Sequence, residues 1–333
     1  MKGARSRRLL VAAAAGLWLG MACPVLAQHA TATGIEGSRA GRAYETLGDF
    51  FAADSSSYDR VKATDAYRKA IAEGNTWAMI KLGRLLLAGP DPEAPTEAEA
   101  LFREAIAAGN AAGSEALGDA YRTDPRLRDP AKALATYEAA AAAGDAGITL
   151  KLARLLATGD GLPADRPRAV ALYRGLVAGD DPAGPAYELA KLYAEGGSYA
   201  DLVKARSYYE IAAAGGIGDA HLALAEMDSE HYQDPMARRA MIDHFIAAAT
   251  LDGIDAAVVR MALLPQPVLL SVVRDLLVDR GFGTVPLGGP NAANPDVVAG
   301  FCQRQTAYYC SDEVLPPELL VQLIGGTGAD PVR

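Results

Sequence analysis

The chain has 333 residues, 50% of them hydrophobic and 22% charged, which is the composition of a folded protein with a buried core. Its 32 Lys and Arg stand against 41 Asp and Glu, a net charge of −9. That balance argues against a polyanion such as nucleic acid as a partner, because such partners need a basic footprint.

The first 27 residues carry Lys2, Arg5, Arg7 and Arg8, then an apolar run from Leu9 to Ala22, then a small-residue exit, which is the pattern of a secretory signal. Cleavage after "VLA" releases a mature chain from Gln28. The alternative reading lipidates Cys23 in "LGMAC", although Gly20 and Met21 depart from the usual lipobox. Without the signal, 28 cations face 41 acids, a net of −13 that favours solubility. No second apolar run approaches the ~18 residues a membrane span requires. Residues 28–42, small and polar, are expected to be a flexible lead.

From residue 43 to 253 the sequence repeats itself six times. Its aromatic column is Tyr67, Phe102, Tyr137, Tyr173, Tyr209 and Phe245, spaced 35, 35, 36, 36 and 36 residues apart. Seven residues further come Gly74, Gly109, Gly144 and Gly216, which predict left-handed helix stops; Asp180 and Asp252 in the other copies predict looser turns. A preceding helix is read from short motifs that begin at Leu47, Leu82, Leu117, Leu152, Leu189 and Leu224. Each of these leucines is followed by a Gly or Ala and then a charge. Thr96, Asp129 and Asp165 are expected to open second helices, with Pro130 and Pro167 in their first turns. In "TYEAAAAAGD" (136–145) the alanine run is expected to admit close neighbouring helices. The architecture this predicts is all-α, a right-handed α-solenoid of helix hairpins with a divergent seventh hairpin and a C-terminal cap.

The divergent hairpin covers residues 254–281, broken at Pro265 and Pro267. The cap covers 282–333: a loop, a short helix from Asn294 and Pro295 to Phe301, and a last helix in "PPELLVQLIGG". Cys302 and Cys310 are the only cysteines left after signal removal. In an oxidising compartment they predict a disulfide worth roughly 2.5 kcal/mol, with two buried free thiols as the alternative.

The stretch "LARLLATGDGLPADRPRAVALYRGLVAGD" resembles the Sel1-like repeat, a relative of the tetratricopeptide repeat. The resemblance implies a non-catalytic scaffold for protein partners. Alginate-secretion lipoproteins with Ala-rich repeats of this kind imply a periplasmic role, soluble or anchored to the outer membrane through Cys23. There the protein would join a polysaccharide synthase to an outer-membrane porin. Secreted relatives with a disulfide in nearly every repeat imply instead a binder of peptidoglycan or another small envelope ligand, yet the six repeats here contain no cysteine. A regulator of an envelope sensor or hydrolase fits the same residues.

Chemistry-bearing motifs are scarce. His29, His221, His231 and His244 lack the spacing of a local metal motif and are expected to be solvent or helix-face histidines. "GTVPLGGPNAANP" lacks the Gly-Lys-Ser/Thr ending of a phosphate loop, and "TGDGLPAD" has too few carboxylates for a calcium loop. No Gly-x-Ser-x-Gly or His-Glu-x-x-His occurs, so neither catalytic residues, a metal nor a cofactor is expected. The one candidate binding feature is the charge column Asp49, Arg84, Asp119, Arg154, Lys191 and Glu226. It reads either as a mixed-sign stripe for a protein partner or as ordinary solvated charges.

Overall fold

A computed structural model describes residues 37–53, 58–195, 200–280, 298 and 317–325. Among them are fifteen α-helices and no strand. In chain order they are α1 (Arg39–Ala52), α2 (Arg60–Ala72), α3 (Thr76–Leu87), α4 (Ala94–Ala107), α5 (Ala112–Thr123), α6 (Pro130–Ala142), α7 (Ala146–Thr158), α8 (Arg166–Val177), α9 (Ala183–Ala194), α10 (Leu202–Ala214), α11 (Gly218–Ser229), α12 (Pro235–Asp252), α13 (Ile254–Ala262), α14 (Gln266–Asp279) and α15 (Pro317–Ile324). The signal and lipidation readings of residues 1–27, the disulfide of Cys302 and Cys310, and the helix from Asn294 to Phe301 apart from Val298, which is helical and buried, lie outside the described residues. Of the lead assigned to 28–42, the last four residues are already helical, because Ser38 caps α1 through a bond from the Gly41 N–H at 3.0 Å. No described helix is long and apolar enough to cross a membrane.

The fold is an α-solenoid built from consecutive helix hairpins. Two compact units divide the chain, one running to Leu155 with Gly159–Ala164, the other holding Leu156–Thr158 and the chain from Asp165 on. In the first unit the hairpins are α1/α2, α3/α4 and α5/α6, and the two helices of a hairpin touch more extensively than successive hairpins do. The small residue of the first helix explains this closeness. A Cβ on Gly48, Gly83 or Gly118 would stand 2.4 Å from the Cε1 of Tyr67, Phe102 or Tyr137 respectively, so each aromatic ring lies directly on a glycine.

The turns follow from the glycines. Gly74, Gly109, Gly144 and Gly216 all take positive φ, between 83° and 92°. In each case the next residue donates its N–H to the carbonyl of the alanine four residues before the glycine, at 2.9–3.2 Å, which closes the second helix in a Schellman turn. Where Asp180 stands, the helix ends instead on Ala178 and Gly179 bonds; where Asp252 stands, the following Gly253 takes the positive φ. The residue after the turn then caps the next first helix, as Asn75 does for Ala78 N–H (3.1 Å) and Asp145 for Ile148 N–H (2.9 Å).

Second helices open on aspartate caps at Asp59, Asp129, Asp165, Asp201 and Asp234. Thr96 is not one of these caps. The helix α4 starts two residues earlier, at Ala94, because Pro95 has no N–H to satisfy and fits the first turn, and Glu93 makes no side-chain cap. The alanine run also needs correction: of Ala139–Ala143 only Ala140 is buried. The others serve as helix formers on the surface.

In the second unit α9/α10 and α11/α12 continue the pattern, and α13, α14 and α15 gather on α12. Phe245, Met241, Val272, Leu277 and Leu320 share one apolar core there. Arg280 ties α15 to the end of α14 by donating to the Leu323 carbonyl at 2.8 Å.

Candidate functional site

The charge column of the first helices is where a binding surface was expected. Most of it is engaged within the chain. Asp49 accepts a hydrogen bond from the Tyr67 hydroxyl (2.8 Å) and an ion pair from Lys81 (2.7 Å), which also reaches Glu45 at 2.6 Å. Asp119 repeats the arrangement 70 residues on, with Tyr137 (2.8 Å) and Lys151 (2.6 Å), the lysine also reaching Glu115 at 2.7 Å. Each aspartate thus joins its own hairpin through tyrosine and the next hairpin through lysine.

The electrostatics agree with that wiring. Burial and the Asp49 bond hold the Tyr67 phenol well above its usual range, and burial and the Asp119 bond do the same for Tyr137. Burial works against the charge on Lys81, but the two carboxylates outweigh it and its pKa rises. Replacing Tyr137 by Phe should cost about 1 kcal/mol in a urea titration, because Asp119 keeps Lys151 when the hydroxyl goes. Tyr67→Phe should cost about as much, since its surroundings repeat those of Tyr137.

Elsewhere the column is mixed. Arg84 is exposed and its guanidinium makes no ion pair or hydrogen bond among the described residues, consistent with Phe102 replacing tyrosine in its hairpin. Arg154 is exposed. Lys191 stands 3.7 Å from Glu188 and above the Tyr187 ring. Glu226 is paired with Arg260. Asp49, Asp119 and Glu226 thus link one helix to another, and Lys191 pairs within its own helix. The lysines and Glu45 and Glu115 were not singled out from the sequence, although their spacing of 70 residues was visible there.

A different surface stands open at α1. Leu47 is 42% exposed, whereas Leu82, Leu117, Leu152, Leu189 and Leu224 at the same repeat position are 5% exposed or less. Tyr44 and Phe50 are exposed beside it, and with Ala40 and Ala43 they form an apolar stripe along one side of the helix. Most matching positions of later first helices are covered: Ala78 and Leu82 on α3, with Met79 and Leu85 half-buried, and Gly113, Leu117 and Ala120 on α5. At Gly113 the cover is the second helix of the preceding hairpin, since a Cβ there would meet Ile106 and the Phe102 carbonyl of α4 at 2.9 Å.

Two of the histidines lie on facing helices and meet in the second unit. His221 on α11 and His244 on α12 have their Nδ1 atoms 2.9 Å apart, while His231 is exposed in the turn after α11 and His29 lies outside the described residues. Near them Asp228 is 5% exposed; its Oδ1 accepts from Arg206, and its buried Oδ2 has no hydrogen-bond partner. No group of three or more metal-type side chains occurs among the described residues. A groove beside α12, α13 and α15, lined by Thr250, Ile254, Val321 and Gln322 among others, contains no titratable side chain.

The family described as Sel1 repeat matches this chain at residues 78–110, 115–145, 149–174 and 186–217. No curated protein matches it in sequence. Among solved structures it is similar to a protective antigen of uropathogenic Escherichia coli displaying an SLR fold, at 18% identity and a TM-score of 0.45, over 85% of this chain and 61% of that one. It is also similar to a Sel1 repeat protein from Oxalobacter formigenes, at 18% identity and a TM-score of 0.45, over 76% of this chain and 93% of the other. An immunity protein from Pseudomonas aeruginosa aligns at 23% identity with a TM-score of 0.35, over 57% of this chain and 70% of that one.

Proposed function

We propose that this chain, which carries Sel1 repeats, is a non-catalytic scaffold that docks an amphipathic helix of a protein partner on the open face of α1. The observation that supports this reading is the exposure of Leu47 and Phe50 at repeat positions that later hairpins cover. A partner helix with a small and aliphatic face would continue the interface that α4 makes with α5. The pattern of residues 1–27 supports a periplasmic location, soluble or anchored through Cys23. Within that compartment we place the partner in an exopolysaccharide assembly, as an outer-membrane porin or a synthase subunit.

The test is affinity capture of the tagged full-length chain from detergent-solubilised envelopes, with mass spectrometry of its mature N-terminus. A porin or synthase subunit is expected, retained by Arg84→Glu and lost with Leu47→Glu/Phe50→Glu. Because both residues are already exposed, the double variant should keep its helical circular dichroism. Retention by the double variant, loss through Arg84→Glu alone, or capture of a glycan fragment with no protein would overturn the reading.

A further inference from the structure

The contact between His221 and His244 has a chemistry that the scaffold reading does not use. Two Nδ1 atoms at 2.9 Å are hydrogen-bonded only if one carries the proton and the other the lone pair. Asp228 decides between them. Its partnerless Oδ2 lies 3.8 Å from His244 Nε2, too far for a hydrogen bond but close enough to favour a proton on that nitrogen. His244 Nδ1 is then the acceptor and His221 Nδ1–H the donor. His221 Nε2 remains as the basic nitrogen of the pair.

We propose that the pair is an acid-sensitive latch between α11 and α12, which tolerates one added proton and is broken by the second. The first proton binds His221 Nε2, leaves Nδ1–H in place and makes the bond charge-assisted. The second can bind only His244 Nδ1, the atom that accepts the bond. Two N–H groups and two cations then face each other, and the contact is lost.

The charged groups around the pair come from three helices. Against the charge on His244 stand burial first, then His221, and Arg206 on α10; Asp228 on α11 and Asp243 on α12 favour it. For His221, burial opposes the charge and Asp252 on α12 favours it. Both imidazoles are held below their usual value in the folded chain. An unfolded histidine takes up its proton near pH 6.5, before the folded pair does. Stability is therefore complete above that pH and declines as pH falls through it. Opening the latch would separate α12, which carries Met241 and Phe245, from α11.

The test uses the full chain in urea at pH 7 and pH 5, with the histidine ring protons followed by NMR. Excluding one proton from the folded state should raise the unfolding constant on the order of 20-fold over that interval. That increment should be missing in His244→Phe. His221→Gln, at the more exposed ring, should lose it as well and serves if the first variant does not fold. In the wild-type spectrum one histidine should titrate while the other resists until unfolding. Parallel pH dependence of wild type and variant, or two independent titrations near pH 6.5, would overturn the latch.

Discussion

Replacing Phe102 by alanine is expected to remove about 3–5 kcal/mol of stability, a large share of what a domain has. The ring is fully buried between α3 and α4 and rests on Gly83. Because α4 also backs α5 at Gly113, the vacated space cannot close without moving a second hairpin. Gly83→Ala acts on the same contact from the other side. Its Cβ would stand 2.4 Å from Phe102 Cε1 and 2.7 Å from Cζ, and a ring enclosed on all sides has no room to retreat, so about 1–3 kcal/mol is expected to be lost. Together the two changes should partly cancel, the new methyl group entering the space that the ring leaves. Urea titrations of both singles and the double form a cycle, and simple additivity within about 0.5 kcal/mol would refute the proposed contact. Hydrogen exchange should place the loss in α3 to α5, since among the described residues each hairpin packs mainly on its neighbours.

That contact was half legible in the sequence. The Gly or Ala after each leucine and the aromatic about 20 residues later form two columns, and their pairing follows once hairpins are assumed. The left-handed glycines were equally plain, because only glycine takes φ near 85° without cost. Burial within the alanine run was not. Any of Ala139–Ala143 forms helix, and which one faces inward depends on the hairpin register. Leu47 teaches the same lesson: its motif is that of its five counterparts, but its exposure follows from what lies on α1. The tyrosine, aspartate and lysine links join residues 18 and 32 apart, distances that acquire meaning only when successive hairpins stack. His221 and His244, 23 residues apart on facing helices, fall outside every local spacing rule.

Arg206→Ala is expected to cost about 2–3 kcal/mol at pH 7.5, because it strands the carboxylate of Asp228. A fully enclosed pair would cost more. Here the arginine side chain is 37% exposed, so water replaces part of what it gave, while the Asp228 side chain, 7% exposed, stays enclosed. Asp228→Asn in the same chain should restore most of the loss, since an amide needs no cation. The pH dependence separates charge from packing. Arg206 opposes the charge on His244, so its removal makes the imidazolium easier to form, and His244 Nε2 is already 3.8 Å from Asp228. On acidification the imidazolium takes over as the cation beside Asp228, and the stability gap between variant and wild type should narrow between pH 7.5 and 5.5. If Arg206 acted only by covering α11 with its alkyl chain, the gap would be equal at both pH values, and Asp228→Asn would not rescue it.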